Sequence, residues 1–153
     1  MDFHTFSAEN ADRLEDAAHR YRYLSAEELL WGIGVGPGPG PGPDHGSDFG
    51  SASDGDGTDA VVDLGSGTGF YTRDVAPHVD SVYAVDVQEA MHDHFRDRGV
   101  PGNVALVTSD TDPLPFDDDS MDAVFTTMTF HELPRAAVDE SARVLAPGGR
   151  FVV

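Results

Sequence analysis

Three glycines at single-residue spacing, Gly65, Gly67 and Gly69, follow an apolar run that carries an acid. Residues 60–70 read A-V-V-D-L-G-S-G-T-G-F. Glycine takes positive φ without steric cost and has no Cβ, so a ligand can lie directly against such a turn. A helix starting near Gly69 would aim free N–H groups at the same place and favour an anionic group there. About twenty residues after the first glycine, Asp86 closes the next apolar run, S-V-Y-A-V. A carboxylate at that spacing is placed to accept hydrogen bonds from ribose hydroxyls. A lone glycine turn is weak evidence and a strand-end aspartate is often just a helix cap. Within one βαβ unit the two together mark a ribose-bearing ligand. The dinucleotide pattern G-x-G-x-x-G needs glycine at position 70, where Phe70 stands, and this counts against a nicotinamide cofactor. Asp110 closes a third run, although a loop aspartate can simply cap its own backbone. His131, with Glu132, follows a fourth and is the candidate general base; a lone histidine beside a helix start is more often structural or a substrate contact.

The elements that position these residues alternate. After the glycine turn, the pattern predicts a helix over 70–79, a strand over 81–85 ending in Asp86, and an amphipathic helix over 88–98 stopped by Gly99 and Pro101. Strands over 104–108 and 123–127 follow, then a helix over 135–145, and Pro147-Gly148-Gly149 turns the chain into a fifth strand over 150–153. This alternation means βαβ units and an α/β fold with a parallel sheet, wound right-handed. Before the sheet, Leu14, Ala17, Ala18 and Tyr21 form a narrow helical stripe, and Ser25 with Glu28 reads as a capping box opening a second helix. His4, Tyr21, Tyr23 and Trp31 either line a pocket or pack. Residues 36–59 begin G-P-G-P-G-P-G-P and continue in Gly, Ser and Asp, which cannot form a helix or a core. The division is therefore an N-terminal helical cap over 1–35, a flexible linker over 36–59 and a core over 60–153.

Composition narrows the partners. The chain of 153 residues has a formal net charge of -19; there is no lysine, so its 9 basic residues are arginines set against 28 acids. Such a surface suits high ionic strength, which screens self-repulsion. It opposes a phosphate backbone, so nucleic acid is an unlikely substrate on charge alone. With no cysteine there is no disulfide, thiolate nucleophile or cysteine zinc site. No apolar run approaches a membrane span and no leader pattern opens the chain, so a cytoplasmic protein is expected. His92 and His94 are two apart and face different sides of a helix, a poor pair for one metal ion.

Five segments in order, V-V-D-L-G-S-G-T-G-F, V-Y-A-V-D, D-T-D-P-L-P-F, D-A-V-F and R-V-L-A-P-G-G-R-F-V-V, resemble a class I S-adenosylmethionine-dependent methyltransferase. The pattern is similar to the small-molecule, quinone-biosynthesis C-methyltransferase group, a type 11-like domain, over residues 60–153. The resemblance implies a Rossmann-like parallel sheet of about five strands in the order 3-2-1-4-5 with helices on both faces, S-adenosyl-L-methionine as cofactor and a small-molecule methyl acceptor. It implies that the turn, with Asp63, Gly65, Ser66, Gly67 and Gly69, holds the methionyl end. It places Asp86 at the ribose, Asp110 at the adenine amino group, and Val87 or Thr108-Ser109 beside the ring. Direct displacement of a sulfonium methyl needs mainly alignment, with His131 as base where the acceptor must lose a proton. The nucleic-acid methylases that resemble this family carry N/D-P-P-Y/F after the fourth strand, and Thr126-Thr127-Met128-Thr129 does not match it. The family sheet has seven strands, so the pattern is C-terminally short by two. That leaves an exposed fifth strand open to self-association, and a cofactor-binding but inactive module stands as the alternative, ahead of an NAD(P) dehydrogenase.

Overall fold

The computed structural model describes residues 8–35 and 60–153; His4 and the 36–59 linker lie outside the described residues. Five strands, β1 (Ala60–Leu64), β2 (Ser81–Asp86), β3 (Val104–Thr108), β4 (Met121–Phe125) and β5 (Leu145–Val152), make one sheet. All neighbours pair in parallel and the order is β3-β2-β1-β4-β5. The helices are α1 (Ala17–Arg20), α2 (Ala26–Ile33), α3 (Phe70–Val75), α4 (Glu89–Arg98) and α5 (Arg135–Val144).

The centre of the sheet explains the unbroken apolar run. Val61 and Val62 are both buried but belong to opposite faces. Val61 packs in one cluster with Leu29, Leu30 and Ile33 of α2 and with Phe70, Tyr71 and Val75 of α3. Val62 packs in the other with Val85, Val124, Ala137 and Val144. A strand covered on both sides has no solvent face to alternate with, hence no alternation in its sequence. β1 pairs with β2 on one side and β4 on the other, so successive strands are laid in opposite directions from it. Between the carboxyl ends of β1 and β4 the connections diverge, and open α/β sheets bind ligands in that crevice.

Three expectations shift. The fourth strand runs from Met121 to Phe125, two residues earlier than the pattern predicts. Its start is anchored because Met121 is buried and the Asp122 carboxylate accepts from the Ala60 N–H at 2.8 Å; Thr126 and Thr127 then leave the strand. The fifth strand starts at Leu145, directly after α5. Pro147, Gly148 and Gly149 form a bulge within it: Leu145 faces Met121 while Arg150 faces Ala123, and Gly148 absorbs the kink at φ 82°. Finally, the N-terminal stripe does not face the core. Ala8–Glu15 is a 3-10 helix, Asp16 caps a fresh helix by accepting from the His19 N–H at 3.1 Å, and the change of period exposes Ala17 and Ala18 while burying Arg20. The capping box of α2 is present, with Ser25 and Glu28 each accepting the other's backbone N–H.

Candidate functional site

The glycine turn is held from three sides. Gly65, Gly67 and Gly69 have φ of 76°, 54° and 79°, the left-handed region that favours glycine. A Cβ on Gly65 would stand 2.7 Å from Thr129 Oγ1, and one on Gly69 would stand 2.2 Å from the Phe95 ring. At those two positions the missing side chain makes room for protein. Only at Gly67, where the nearest atom is Leu14 Cδ1 at 3.4 Å, is the space consistent with close approach of a ligand. The N–H groups of Gly65 and Ser66 donate to the Val85 carbonyl at 2.8 and 2.9 Å, tying the turn to β2. The half-buried Asp86 finishes the tie: Oδ2 accepts from the Gly67 N–H at 2.8 Å and Oδ1 from the Gln88 N–H at 2.9 Å. Each oxygen keeps a further lone pair for a ligand.

Beside the turn lies a cleft of about 320 Å³. Its floor is Gly65, Ser66, Gly67 and Thr68; Asp86 and Val87 form one end, with Asp110 and Thr111 beside them. Met128, Thr129, His131 and Glu132, from the segment after β4, close the opposite side. Of the residues that the sequence nominates, Gly65, Ser66, Gly67, Asp86, Val87, Asp110 and His131 thus share one cleft. Asp63, Gly69 and Ser109 do not line it. Asp63 is buried beneath the turn, where Oδ2 accepts from Thr72 Oγ1 at 2.5 Å and Oδ1 has no partner. Burial pushes its carboxyl up to about 7; Thr72 and Arg20 act against that shift and the Asp86 charge adds to it. Ser109 Oγ donates to the Asp110 carbonyl at 3.0 Å, and Asp110 Oδ1 accepts from the Thr111 N–H at 2.7 Å. His131 is exposed, its Nε2 3.8 Å from Glu132 Oε1.

The roof of the cleft escapes sequence reasoning. Leu14 and Arg20 line it from above, and Glu15 staples the N-terminal segment to the turn: Thr68 Oγ1 donates to Oε1, and Arg73 Nη2 meets Oε2 at 2.5 Å. Arg20 is 7% exposed, its Cζ 4.7 Å from the Tyr71 ring centre and 5.1 Å from that of Phe70. Burial lowers its guanidinium below the usual value, with Tyr71, Asp63 and Glu15 acting the other way. Tyr21, Tyr23 and Trp31 do not line the cleft. Tyr21 donates to Asp74 Oδ2 at 2.7 Å and stacks edgewise on Tyr71. Tyr71 in turn donates to the Arg20 and Leu24 carbonyls at 3.1 and 2.9 Å, fixing the roof to α3. His92 is fully buried, with Nδ1 3.1 Å from Thr108 Oγ1. No helix among the described residues is long and apolar enough to cross a membrane.

A parallel sheet of this order, with a glycine turn locked to the acid of the next strand, has clear relatives. The family described as a methyltransferase domain matches residues 62–153. The demethylmenaquinone methyltransferase of Clavibacter sepedonicus is 40% identical over 97 residues, covering 61% of this chain and 39% of that protein. Among solved structures, a SAM-dependent methyltransferase from Aquifex aeolicus superposes with a TM-score of 0.70 at 26% identity, covering 94% of this chain and 69% of the other. A chain of the Haloferax volcanii complex between the Trm112 methyltransferase activator and a methyltransferase gives 0.69 at 25% identity, covering 98% and 58%. The protein belongs to the methyltransferase-domain family, of the class I S-adenosylmethionine-dependent type. It spans about two fifths of the length of the Clavibacter relative.

Proposed function

We propose that the chain binds S-adenosylmethionine in the cleft and serves methyl transfer to a small-molecule acceptor. The observation that carries this reading is Asp86, whose carboxylate fixes the Gly67 backbone at 2.8 Å while facing the same cleft. Fit to the cofactor is supported by polar atoms left over around that cleft: Ser66 Oγ, Thr111 Oγ1 and Arg20 Nε are buried without partners. A ligand with ribose hydroxyls and a charged amino-acid end can satisfy such atoms, whose burial unpaired is costly. When bound, S-adenosylmethionine supplies an electrophilic sulfonium methyl, open to direct displacement by an acceptor atom.

The chain's own part is to orient. Asp86 presents free lone pairs to the ribose, Asp110 and Val87 flank the adenine end, and the floor Gly65-Ser66-Gly67 receives the methionyl end. Met128 and Thr129 wall the side from which an acceptor approaches, and His131 beside them takes a proton where the acceptor must lose one. Residues 1–35 act as the cap, 60–153 as the core, and 36–59 as their tether. The high acid content is read as adaptation to salt in a cytoplasmic protein, and raising salt to the molar range should raise its unfolding temperature. Titration of the purified chain in high salt with S-adenosylhomocysteine and with NADH tests the cofactor: binding of the first alone is expected, and its absence in folded protein overturns the reading. Transfer of labelled methyl to a metabolite extract then separates an active enzyme from a binding module.

A further inference from the structure

Arg73, Arg96, Arg98 and Arg143 each hold a carboxylate oxygen at 2.5 to 2.8 Å. Arg20 is more deeply buried than any of them, yet it enters no ion pair among the described residues, and its Nε has no hydrogen-bond partner. The nearest buried acid, Asp63, also keeps an unpartnered oxygen, so the two have not closed on one another. Phe70 and Tyr71 lie 5.1 and 4.7 Å from the guanidinium carbon and hold the group through cation–π contact. Tyr71 also hydrogen-bonds the guanidinium, and Nε stays unpartnered. Arg20 lines the cleft together with Gly65, Ser66 and Gly67, and Ser66 Oγ in the same cleft is likewise unpartnered. A planar fork with an unpartnered N–H, in one cleft with a spare hydroxyl, matches a carboxylate.

We infer that Arg20 binds the carboxylate at the amino-acid end of the cofactor. The residue lies outside the stretch matched to the family, residues 62–153, and reaches the cleft only because the N-terminal segment folds over the glycine turn. The N-terminal cap then has a binding role: it distinguishes a nucleoside that carries an amino acid from one that does not. This inference rests on the cleft being the S-adenosylmethionine site, and its test keeps the two apart.

The test measures binding of two probes to the full chain in high salt: S-adenosylhomocysteine, and methylthioadenosine, which has the same nucleoside and thioether but no amino-acid group. Arg20→Gln should weaken S-adenosylhomocysteine by about tenfold to a hundredfold, the range for lost hydrogen bonds to a charged group, and leave methylthioadenosine within about twofold. Retained methylthioadenosine binding also reports a folded site. Arg20→Lys, which keeps charge but loses the fork, should fall between the two and serves where the Gln variant fails to fold. Equal weakening of both probes, or of neither, overturns the inference. If the wild-type chain binds neither probe, the cofactor reading falls and the inference with it.

Discussion

The floor and the roof of the cleft are built on opposite principles. In the floor, protein makes most of the contacts and leaves Ser66 Oγ over: Asp86 takes two backbone N–H groups, Thr129 occupies the space beside Gly65 and the Phe95 ring that beside Gly69. The roof is stapled by Glu15 to Thr68 and Arg73, and its buried Arg20 enters no ion pair among the described residues, with Nε unpartnered. In a chain with 9 basic residues against 28 acids, a buried cation that closes on no carboxylate among the described residues is informative. Arg143 shows the contrast, since it holds Glu140 and Asp118 as well as the Leu114 and Phe116 carbonyls and so fixes the acidic loop after β3. A saturated arginine serves the fold; an unsaturated buried one points to a ligand.

Four experiments test this contrast. The largest effect is expected at Asp63, whose carboxyl is pushed up by burial to about 7 from the ordinary 3.8. The folded protein therefore holds this proton more tightly than the unfolded chain, so the contribution to stability is full below about pH 4 and is lost as pH rises to about 7. Asp63→Asn stays neutral throughout. It should match the wild type near pH 4 and exceed it by up to about 4 kcal/mol near pH 8, read from urea unfolding in high salt. A difference that does not change with pH would mean that Arg20 already neutralises Asp63, and the roof would then lose its claim to a spare cation. Next is Gly69→Ala, which drives a Cβ into the Phe95 ring at positive φ and should cost about 3 kcal/mol; an unchanged urea midpoint would refute a close-packed floor.

Asp86→Ala should weaken S-adenosylhomocysteine binding by about 1 to 3 kcal/mol, measured by calorimetry, and an unaltered affinity would confine Asp86 to its scaffold role. The smallest effect belongs to Glu15→Gln. The Glu15–Arg73 pair is partly exposed, at 19% and 26% of side-chain area, so its loss should lower stability by about 1 kcal/mol or less. A larger loss would show that the roof is held as firmly as the floor.

The floor was legible because its signals are local. Three spaced glycines and an acid closing the next apolar run lie within one βαβ unit, and right-handed crossovers make the sheet parallel, whereas the strand order came from the family pattern. Hydrogen bonding within the turn was not legible: the sequence argues for glycine from ligand approach, whereas Gly65 and Gly69 are required by Thr129 and Phe95, distant in the chain. The roof was missed because its pattern changes period. A single helical repeat through Leu14, Ala17, Ala18 and Tyr21 cannot describe a 3-10 helix ending at Glu15 and a new helix capped by Asp16, so the repeat selects the wrong face and passes over Arg20. The ends of β4 and β5 were displaced for a similar reason, since Asp122 bonding to Ala60 and a bulge at Gly148 are tertiary choices.

The contact between α2 and β5 has a bearing on how the chain folds. Gly32 lies against Val152, and the Arg150 guanidinium donates to the Trp31 carbonyl across 119 residues of sequence. Contacts of such long sequence separation form slowly. Leu29, Leu30 and Ile33 of α2 also pack on Val61 and on Phe70, Tyr71 and Val75, which are much nearer in the chain. The cap is thus moored to the sheet twice, by a short tie that can form early and by a long one that must wait.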